Sequence, residues 1–300
     1  LAVGCGDDDD DSGSNTPASG GSATPGKGSP TAAPTEQGKK GGVARFISNN
    51  ATYDTFDPSR SRFTPVATII RRPMQRAIHW DSFKEGRLAG GVAEKWEQPD
   101  PQTVVLKLRK NNFFHNKAPV NGRQTKASDL QFHIERQKAG VRQDGTEDPN
   151  FYRKGEYQIV DSVTSPDAET VQIKLKQPSP LFLNLLAQSY EGIGAPEAIK
   201  EFEKDYANFH EKMIIGTGPM ILTEFSSEGR LKFQRFDKFT GTGYLDGIQE
   251  VPLFTDAQAA QAAFEQKQID SHAPSNVQVL NEMRERLKGK ISESTNFSAN

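Results

Sequence analysis

Alternating apolar and polar residues predict several strands along the chain. In TVQIKLK (Thr170–Lys176) every second residue is apolar, and TVVLKLR (Thr103–Arg109) has a similar pattern. Such alternation gives a strand one dry and one wet face and favours antiparallel pairing. YQIVDSV and a turn at 165–167 lead into TVQIKLK, so we expect strand, turn, strand there. Further predicted strands are VARFIS (43–48), a hairpin of PMILTEF and RLKFQRF joined by residues 226–229, and EVPLF (250–254).

Apolar residues at helical spacing predict the helices. Residues 64–78 have this spacing, and Pro73 is expected to kink or restart the helix. We expect Thr125 to cap a helix that runs toward Lys138, with Ala127, Leu130 and Ile134 on one face. The other predicted helices are PLFLNLLAQ (180–188), an alanine-rich helix from Asp256 to Lys267 with Ala259, Ala263 and Phe264 inward, and Val277 to Leu287.

The N-terminal 42 residues do not have the composition of a folded domain. Residues 6–42 contain no aromatic residue and no Val, Leu, Ile or Met, so they cannot bury enough apolar surface to offset the entropy of ordering. We therefore expect a disordered tether. The stretch Leu1 to Cys5 is similar to the end of a bacterial lipoprotein signal, although Ala2 stands where a bulky aliphatic residue is usual. Cys5 is accordingly a predicted lipidation site, and the alternative is an unmodified thiol.

Composition and spacing exclude several kinds of chemistry. The net charge of -2 gives no electrostatic case for binding nucleic acid. Cys5 is the only cysteine, and the five histidines lie far apart in sequence, so we expect no metal site. We find no G-x-S-x-G nucleophile motif and no sign of a cofactor. His115 is better interpreted as a hydrogen-bonded structural imidazole than as a catalytic group. The sequence gives no positive indication of catalysis.

Three motifs in order carry a family resemblance. The first runs from AEKW (93–96) through TVVLKLRK (103–110), Phe114-His115 and Pro119 to TKASDLQF (125–132) and Glu135-Arg136. IGTGPM (215–220) and YLDGI (244–248) follow. Together they resemble the extracellular solute-binding proteins of family 5, the peptide, nickel-chelate and oligosaccharide receptors of ABC importers. Met220 departs from the family pattern, which has an aromatic residue there. The resemblance covers residues 42 to about 270.

The resemblance implies an α/β fold with two lobes of the periplasmic-binding-protein type (class II, cluster C), with an extra antiparallel subdomain in the first lobe. Residues 43–74 and 215–252 would form the first lobe, 75–214 the inserted subdomain, and 253–300 the start of a second lobe that we expect to be incomplete. Residues 1–42 would comprise the signal remnant, the lipidated cysteine and the linker.

The resemblance further implies capture of a solute by lobe closure and delivery to ABC permease subunits in the membrane, with no enzymatic step. An oligopeptide is the first expected cargo, and an oligosaccharide or a metal chelate is the alternative. A membrane-tethered hydrolase and a signalling receptor of the same fold also stay open. We expect a monomer in the cell envelope, either lipid-anchored to the outer face of the cytoplasmic membrane or periplasmic. The expected ligand-binding residues, chosen for loop position and polar or aromatic character, are Asn50, Tyr53, Arg62, Phe63, Tyr190, Glu191 and Thr217.

Overall fold

The structure, a computed structural model, describes residues 39–48, 53–82, 85–204, 211–226, 228–241, 243–254 and 256–290. Cys5 and Asn50 lie outside the described residues. Strands in the described ranges are β1 (Val43–Ile47), β2 (Ile78–Ser82), β3 (Arg87–Gly90), β4 (Ala93–Asp100), β5 (Thr103–Leu108), β6 (Val160–Thr164), β7 (Thr170–Leu175), β8 (Met220–Phe225), β9 (Leu231–Arg235) and β10 (Gly247–Val251). Helices there are α1 (Thr64–Ile70), α2 (Ala127–Ala139), α3 (Lys154–Tyr157), α4 (Phe182–Leu186), α5 (Pro196–Phe202), α6 (Ala257–Glu265) and α7 (Val277–Arg286).

The first sheet has the strand order β1-β10-β9-β8. β1 and β10 run parallel, with Val43 opposite Gly247 and Ile47 opposite Val251. β9 is antiparallel to both of its neighbours, which confirms the predicted hairpin of β8 and β9. α1 packs against this sheet through Val66, Ile69 and Ile70 in a shared apolar core. Because parallel strands need a crossover connection, the sheet joins two parts of the chain that are far apart in sequence.

The second sheet has the order β4-β5-β7-β6 and is antiparallel throughout, as the alternation predicted. Its inward residues Leu106 and Ile173 are fully buried, in one core with Leu130 and Ile134 of α2. Burial of each such aliphatic side chain contributes about 1.5–3 kcal/mol. On the opposite face Lys174 is exposed. β2 and β3 form a separate antiparallel hairpin.

The predicted helix over residues 64–78 is wrong beyond Ile70. α1 ends there, a turn follows, and Ile78 already belongs to β2. Pro73 disfavours a continued helix, and its carbonyl accepts a hydrogen bond from Gly218 N at 2.9 Å, so this segment is held by the glycine-rich turn at 215–219 instead. A Cβ on Gly218 would lie 2.3 Å from Arg72 O, which explains why glycine is needed where the two backbones meet.

Two further boundaries differ from the prediction. α2 begins after Lys126 rather than Thr125, because the Asp129 carboxylate accepts from Lys126 N at 2.8 Å while the Thr125 hydroxyl donates to Asn112 O. β10 spans residues 247–251 rather than 250–254. Val251 O accepts from Ser48 N at 2.8 Å, and Pro252 has no N–H with which to extend the ladder. The predicted strand was therefore placed three residues too late.

α6 and α7 follow the first sheet. Asp256 caps α6 as predicted, since its carboxylate accepts from Ala259 N at 2.7 Å. The buried positions of α6 are Ala260 and Ala263, whereas Ala259 and Phe264 are half-buried, so the inward face is rotated from the predicted one. Beyond α6, Asp270 N donates to Arg45 O at 2.8 Å along the edge of β1 opposite β10. Among the described residues no helix is long and apolar enough to cross a membrane.

Candidate functional site

A groove of about 930 Å³ opens at the carboxyl ends of β1 and β10. Because these strands are parallel, their carboxyl ends share one edge of the sheet, which is where open α/β sheets bind ligands. The volume lies in the range of small-molecule sites. The groove is lined by residues from β1, α1, β10, α6 and the segment after α6, among them Ser48, Tyr53, Thr68, Glu250, Phe254 and His272.

Tyr53 forms part of the polar wall of the groove. Its hydroxyl lies 3.0 Å from Ser48 Oγ, and its ring packs 5.4 Å from that of Phe56. The side chain is 3% exposed, and burial raises the pKa of the Tyr53 phenol, which is therefore neutral at physiological pH. Arg72 and Glu250 form an ion pair on the same wall, and the Arg72 guanidinium lies 5.1 Å from the Phe233 ring. These polar groups are fixed before any ligand arrives.

The groove is also lined by apolar residues that follow β10 and by an imidazole that follows α6. Leu253 is 59% exposed and Phe254 is half-buried. The His272 ring lies 6.0 Å from that of Phe264, and partial burial lowers the pKa of His272, so this imidazole is neutral at pH 7. A groove lined by both hydrogen-bonding and apolar side chains can hold a solute that carries both kinds of surface.

A second candidate surface, which we call the Arg62 surface, consists of Arg62, Phe63, Tyr152 and Tyr190. The Tyr190 hydroxyl donates to Arg62 O at 2.9 Å, and the Arg62 guanidinium lies 4.9 Å from the Tyr152 ring. Phe63 and Tyr152 are 38% and 40% exposed. Phe63 directly precedes α1, whose Pro65 lines the groove, so the Arg62 surface continues from the groove along the chain.

Buried ion pairs lie beneath the Arg62 surface. Asp57 pairs with Arg136 of α2, which also pairs with Glu203. Although burial opposes ionisation of both groups, Arg136 holds the pKa of Asp57 below its usual range, and the two carboxylates raise the pKa of Arg136. Arg60, fully buried, pairs with Asp148. These pairs fix the segment that leads to Arg62 against the second sheet and its helices.

The glycine-rich turn at 215–219 is an internal packing element. Thr217 is fully buried, and its hydroxyl donates to Gln75 Oε1 at 2.8 Å. His115, also fully buried, places Nε2 3.0 Å from Gly218 O, and burial lowers the pKa of His115 to about 4. This confirms the interpretation of His115 as a structural imidazole. Among the described residues no group of three or more His, Cys, Asp or Glu side chains could hold a metal ion.

Comparison with known proteins adds the decisive observation. The model of the family described as bacterial extracellular solute-binding proteins, family 5 Middle, matches residues 87–299. The chain belongs to this family. It is 32% identical over 161 residues to the dipeptide-binding protein of Escherichia coli (strain K12). This match covers 51% of this chain and 30% of that relative. This family 5 protein thus spans about a third of the length of that relative.

Solved structures show the fold of this family 5 protein. The ABC transporter-associated periplasmic binding protein DppA from Helicobacter pylori, in complex with peptide STSA, matches with a TM-score of 0.70 at 19% identity, over 82% of this chain and 49% of that chain. A dipeptide-binding protein from Pseudoalteromonas sp. SM9913, in complex with Met-Leu, matches with a TM-score of 0.66 at 19% identity, over 81% of this chain and 49% of that chain. The α/β fold of the two-lobed periplasmic binding proteins is confirmed.

The family 5 protein brings some of the predicted ligand-binding residues together and separates others. Arg62, Phe63 and Tyr190 lie on the Arg62 surface, and Tyr53 lies in the wall of the groove. Glu191 is 2% exposed and lies beneath Tyr190, whereas Thr217 lies in the internal turn. Asn50 is outside the described residues. Contact of these residues with a solute stays a prediction. For Glu191 and Thr217, burial and internal hydrogen bonds favour a supporting role over direct contact.

Sequence reasoning missed several residues of these surfaces in the family 5 protein. Tyr152 and Arg153 occur in a polar stretch, FYRKGEYQ, that has no recognisable motif. Arg72 and Glu250 are 178 residues apart in sequence, so nothing local indicates their pairing. The position of Ser48 at the end of the first predicted strand was the one sequence feature that could have indicated a residue of the groove.

Proposed function

We propose that this chain is the substrate-binding component of an ABC importer that captures an oligopeptide or a similar solute. The observation that carries the proposal is the groove at the carboxyl ends of β1 and β10 in a chain of the solute-binding family. Support for a peptide comes from the dipeptide-binding relative and from the two structures that hold STSA and Met-Leu. A solute with a polar backbone and apolar side chains suits the mixed polar and apolar lining of the groove.

The two sheets support the proposed division into lobes. The first lobe would consist of residues 43–74 and 215–252, which contain the first sheet and α1, and residues 75–214 would form the inserted subdomain around the second sheet. Residues 253–300 would begin the second lobe. In this arrangement lobes close over a solute held at the groove, and the closed form docks on permease subunits.

We assign direct contact with the solute to Arg62, Phe63, Tyr190 and Asn50. Tyr53 would offer its phenol at the groove wall, while Glu191 and Thr217 would support the contacting residues from beneath. The exposed rings of the Arg62 surface can pack on apolar side chains of a peptide, and the Arg62 guanidinium can pair with a carboxylate.

The proposed protein works at the cell envelope without chemical conversion of its cargo. A lipid on Cys5 would hold it at a membrane surface through the tether of residues 6–42, and it would act as a monomer. Release of an unaltered solute separates this proposal from a hydrolase of the same architecture.

Thermal stabilisation tests the proposal. Purified protein is heated alone and with millimolar Met-Leu or Ser-Thr-Ser-Ala, and the peptides are then analysed by mass spectrometry. A peptide at 100 times its Kd stabilises the native state by about 2.7 kcal/mol. We expect a higher Tm and intact peptide. Tyr190→Ala should weaken peptide binding, whereas Tyr244→Ala, a change at an exposed tyrosine outside both surfaces, should not. Cleaved peptide, or no stabilisation by either peptide, would contradict the proposal.

A further inference from the structure

Arg153 is a buried cation that contacts two segments of the chain that form the Arg62 surface, the one before Arg62 and the one at Tyr190. Its side chain is 6% exposed. Nη1 donates to Ser61 O at 3.0 Å and Nη2 donates to Pro58 O, so the guanidinium holds the backbone just before Arg62. Loss of these bonds would leave two buried carbonyl groups without a partner.

The same guanidinium also supports Tyr190. It lies 4.9 Å from the centre of the Tyr190 ring, and the Tyr190 hydroxyl donates to Arg62 O at 2.9 Å. Residues 58–62 and Tyr190 are therefore connected twice, once directly and once through Arg153. A lysine could not reproduce this arrangement, since an ammonium group lacks the planar fork that serves several acceptors and an aromatic face at once.

The Glu191 carboxylate holds Arg153 in place. Arg153 Nε lies 3.3 Å from Glu191 Oε1, and neither atom has a hydrogen-bond partner in the part of the chain that the structure describes. Glu191 Oε2 accepts from the Tyr157 hydroxyl at 2.6 Å and lies 2.9 Å from His133 Nε2. His133 and Tyr157 belong to α2 and α3, so the position of this carboxylate is set by elements packed in the core of the second sheet.

We propose that Arg153 is a positioning residue that sets the places of Arg62 and Tyr190, and thereby the affinity for solute. It contacts no solute itself. Its role rests on the function proposed above and extends it, because it connects the proposed contacts on the loop before α1 to the proposed contact on the loop after α4. The sequence YRK around Arg153 carries no mark of this role.

Arg153→Lys tests the proposal, with Arg123→Lys as a matched control. Arg123 also pairs with carboxylates, those of Asp129 and Glu197, and lies 4.8 Å from an aromatic ring, that of Phe114, but it contacts neither the groove nor the Arg62 surface. The first readout is amide hydrogen exchange without peptide, followed at Ser59, Arg60 and Phe63, whose N–H groups donate within residues 57–63. The second readout is the Kd for Ser-Thr-Ser-Ala from calorimetry.

We expect exchange at these three amides to rise about tenfold in Arg153→Lys, with exchange in β5 and β7 unchanged, and the Kd to rise about tenfold. Arg123→Lys should change neither. Unchanged exchange at residues 59–63 overturns the positioning role whether or not the wild type binds peptide. Absence of peptide binding by the wild type contradicts the proposed function alone. Faster exchange with an unchanged Kd overturns the effect on affinity.

Glu191→Gln keeps the proposal testable if Arg153→Lys does not fold. This change removes the charge that pairs with the Arg153 guanidinium and leaves an oxygen that can accept from the Tyr157 hydroxyl. Faster exchange at Ser59, Arg60 and Phe63 supports the positioning role of Arg153, and unchanged exchange contradicts it.

Discussion

The buried group of Asp57, Arg136 and Glu203 allows a quantitative test through Asp57→Asn. Arg136 Nη1 donates to Asp57 Oδ1 at 3.0 Å and Nη2 donates to Oδ2, and all three side chains are at most 3% exposed. Hydrogen bonds to charged groups contribute about 1.5–3 kcal/mol each. Asparagine retains one acceptor but presents an NH2 group to the guanidinium at the other. Because Glu203 still pairs with Arg136, we expect the free energy of unfolding to fall by about 2–4 kcal/mol, of the order found for broken buried pairs.

The same change should remove part of the acid sensitivity of the fold. The pKa of Asp57 is lowered in the native state, so its contribution to stability is present above the unfolded pKa of about 3.9 and is lost as the pH falls through the native pKa. The wild type should therefore lose more stability between pH 5 and pH 3 than Asp57→Asn does.

Urea unfolding followed by circular dichroism at pH 7, 5 and 3 measures both effects. The matched control is Asp237→Asn, since Asp237 is 87% exposed and pairs with Arg235 at 3.2 Å, a surface pair that contributes about 0–1 kcal/mol. If Asp57→Asn unfolds at the same urea midpoint as the control, the buried pair does not stabilise the fold as argued.

Three further predictions concern the groove and the turn that supports it. Gly218→Ala should lower the free energy of unfolding by about 1–3 kcal/mol in urea titrations, since its Cβ meets backbone atoms, whereas Gly155→Ala, with open space around the Cβ, should not lower it. Tyr53→Phe should cost about 1 kcal/mol, because Ser48 Oγ loses its buried partner, and a double-mutant cycle with Ser48→Ala should show the two changes to be non-additive. His115 has a native pKa of about 4, below the unfolded value of about 6.5, so the unfolded state binds more protons between these pH values and stability falls as the pH drops from 6.5 to 4; His115→Gln should flatten that part of the stability curve.

The elements that sequence patterns predicted are those with a regular apolar period of their own. β5, β7 and the β8–β9 hairpin follow from period-two alternation, and α2 follows from its apolar face. β4 was not predicted because Pro99 argues against a strand. Proline is tolerated here since β4 is an edge strand of its sheet. The start of β10 was not predicted because Gly247 has no side chain that would extend the apolar pattern.

The candidate site was less predictable than the fold. Tyr190 and Arg62 were both singled out from loop position, but their hydrogen bond joins residues 128 positions apart, and no local pattern reports such a contact. Arg153 is similarly hidden, since a buried arginine and a surface arginine look alike in sequence. Only the folded chain shows that its charge is enclosed by carbonyl groups, a carboxylate and an aromatic ring.

The parallel pairing of β1 with β10 has a consequence for the order in which the chain acquires its structure. Gly42 and Asp246, hydrogen-bonded beside this pair, are 204 residues apart. During synthesis from the N-terminus, β4 to β7 can pair into their sheet before β10, the partner strand of β1, has been made. Contacts between residues far apart in sequence also carry a larger entropic cost of loop closure. A nascent chain would thus present an unpaired first strand until β10 has been synthesised, and the first sheet would become complete only after β4 to β7 have been made.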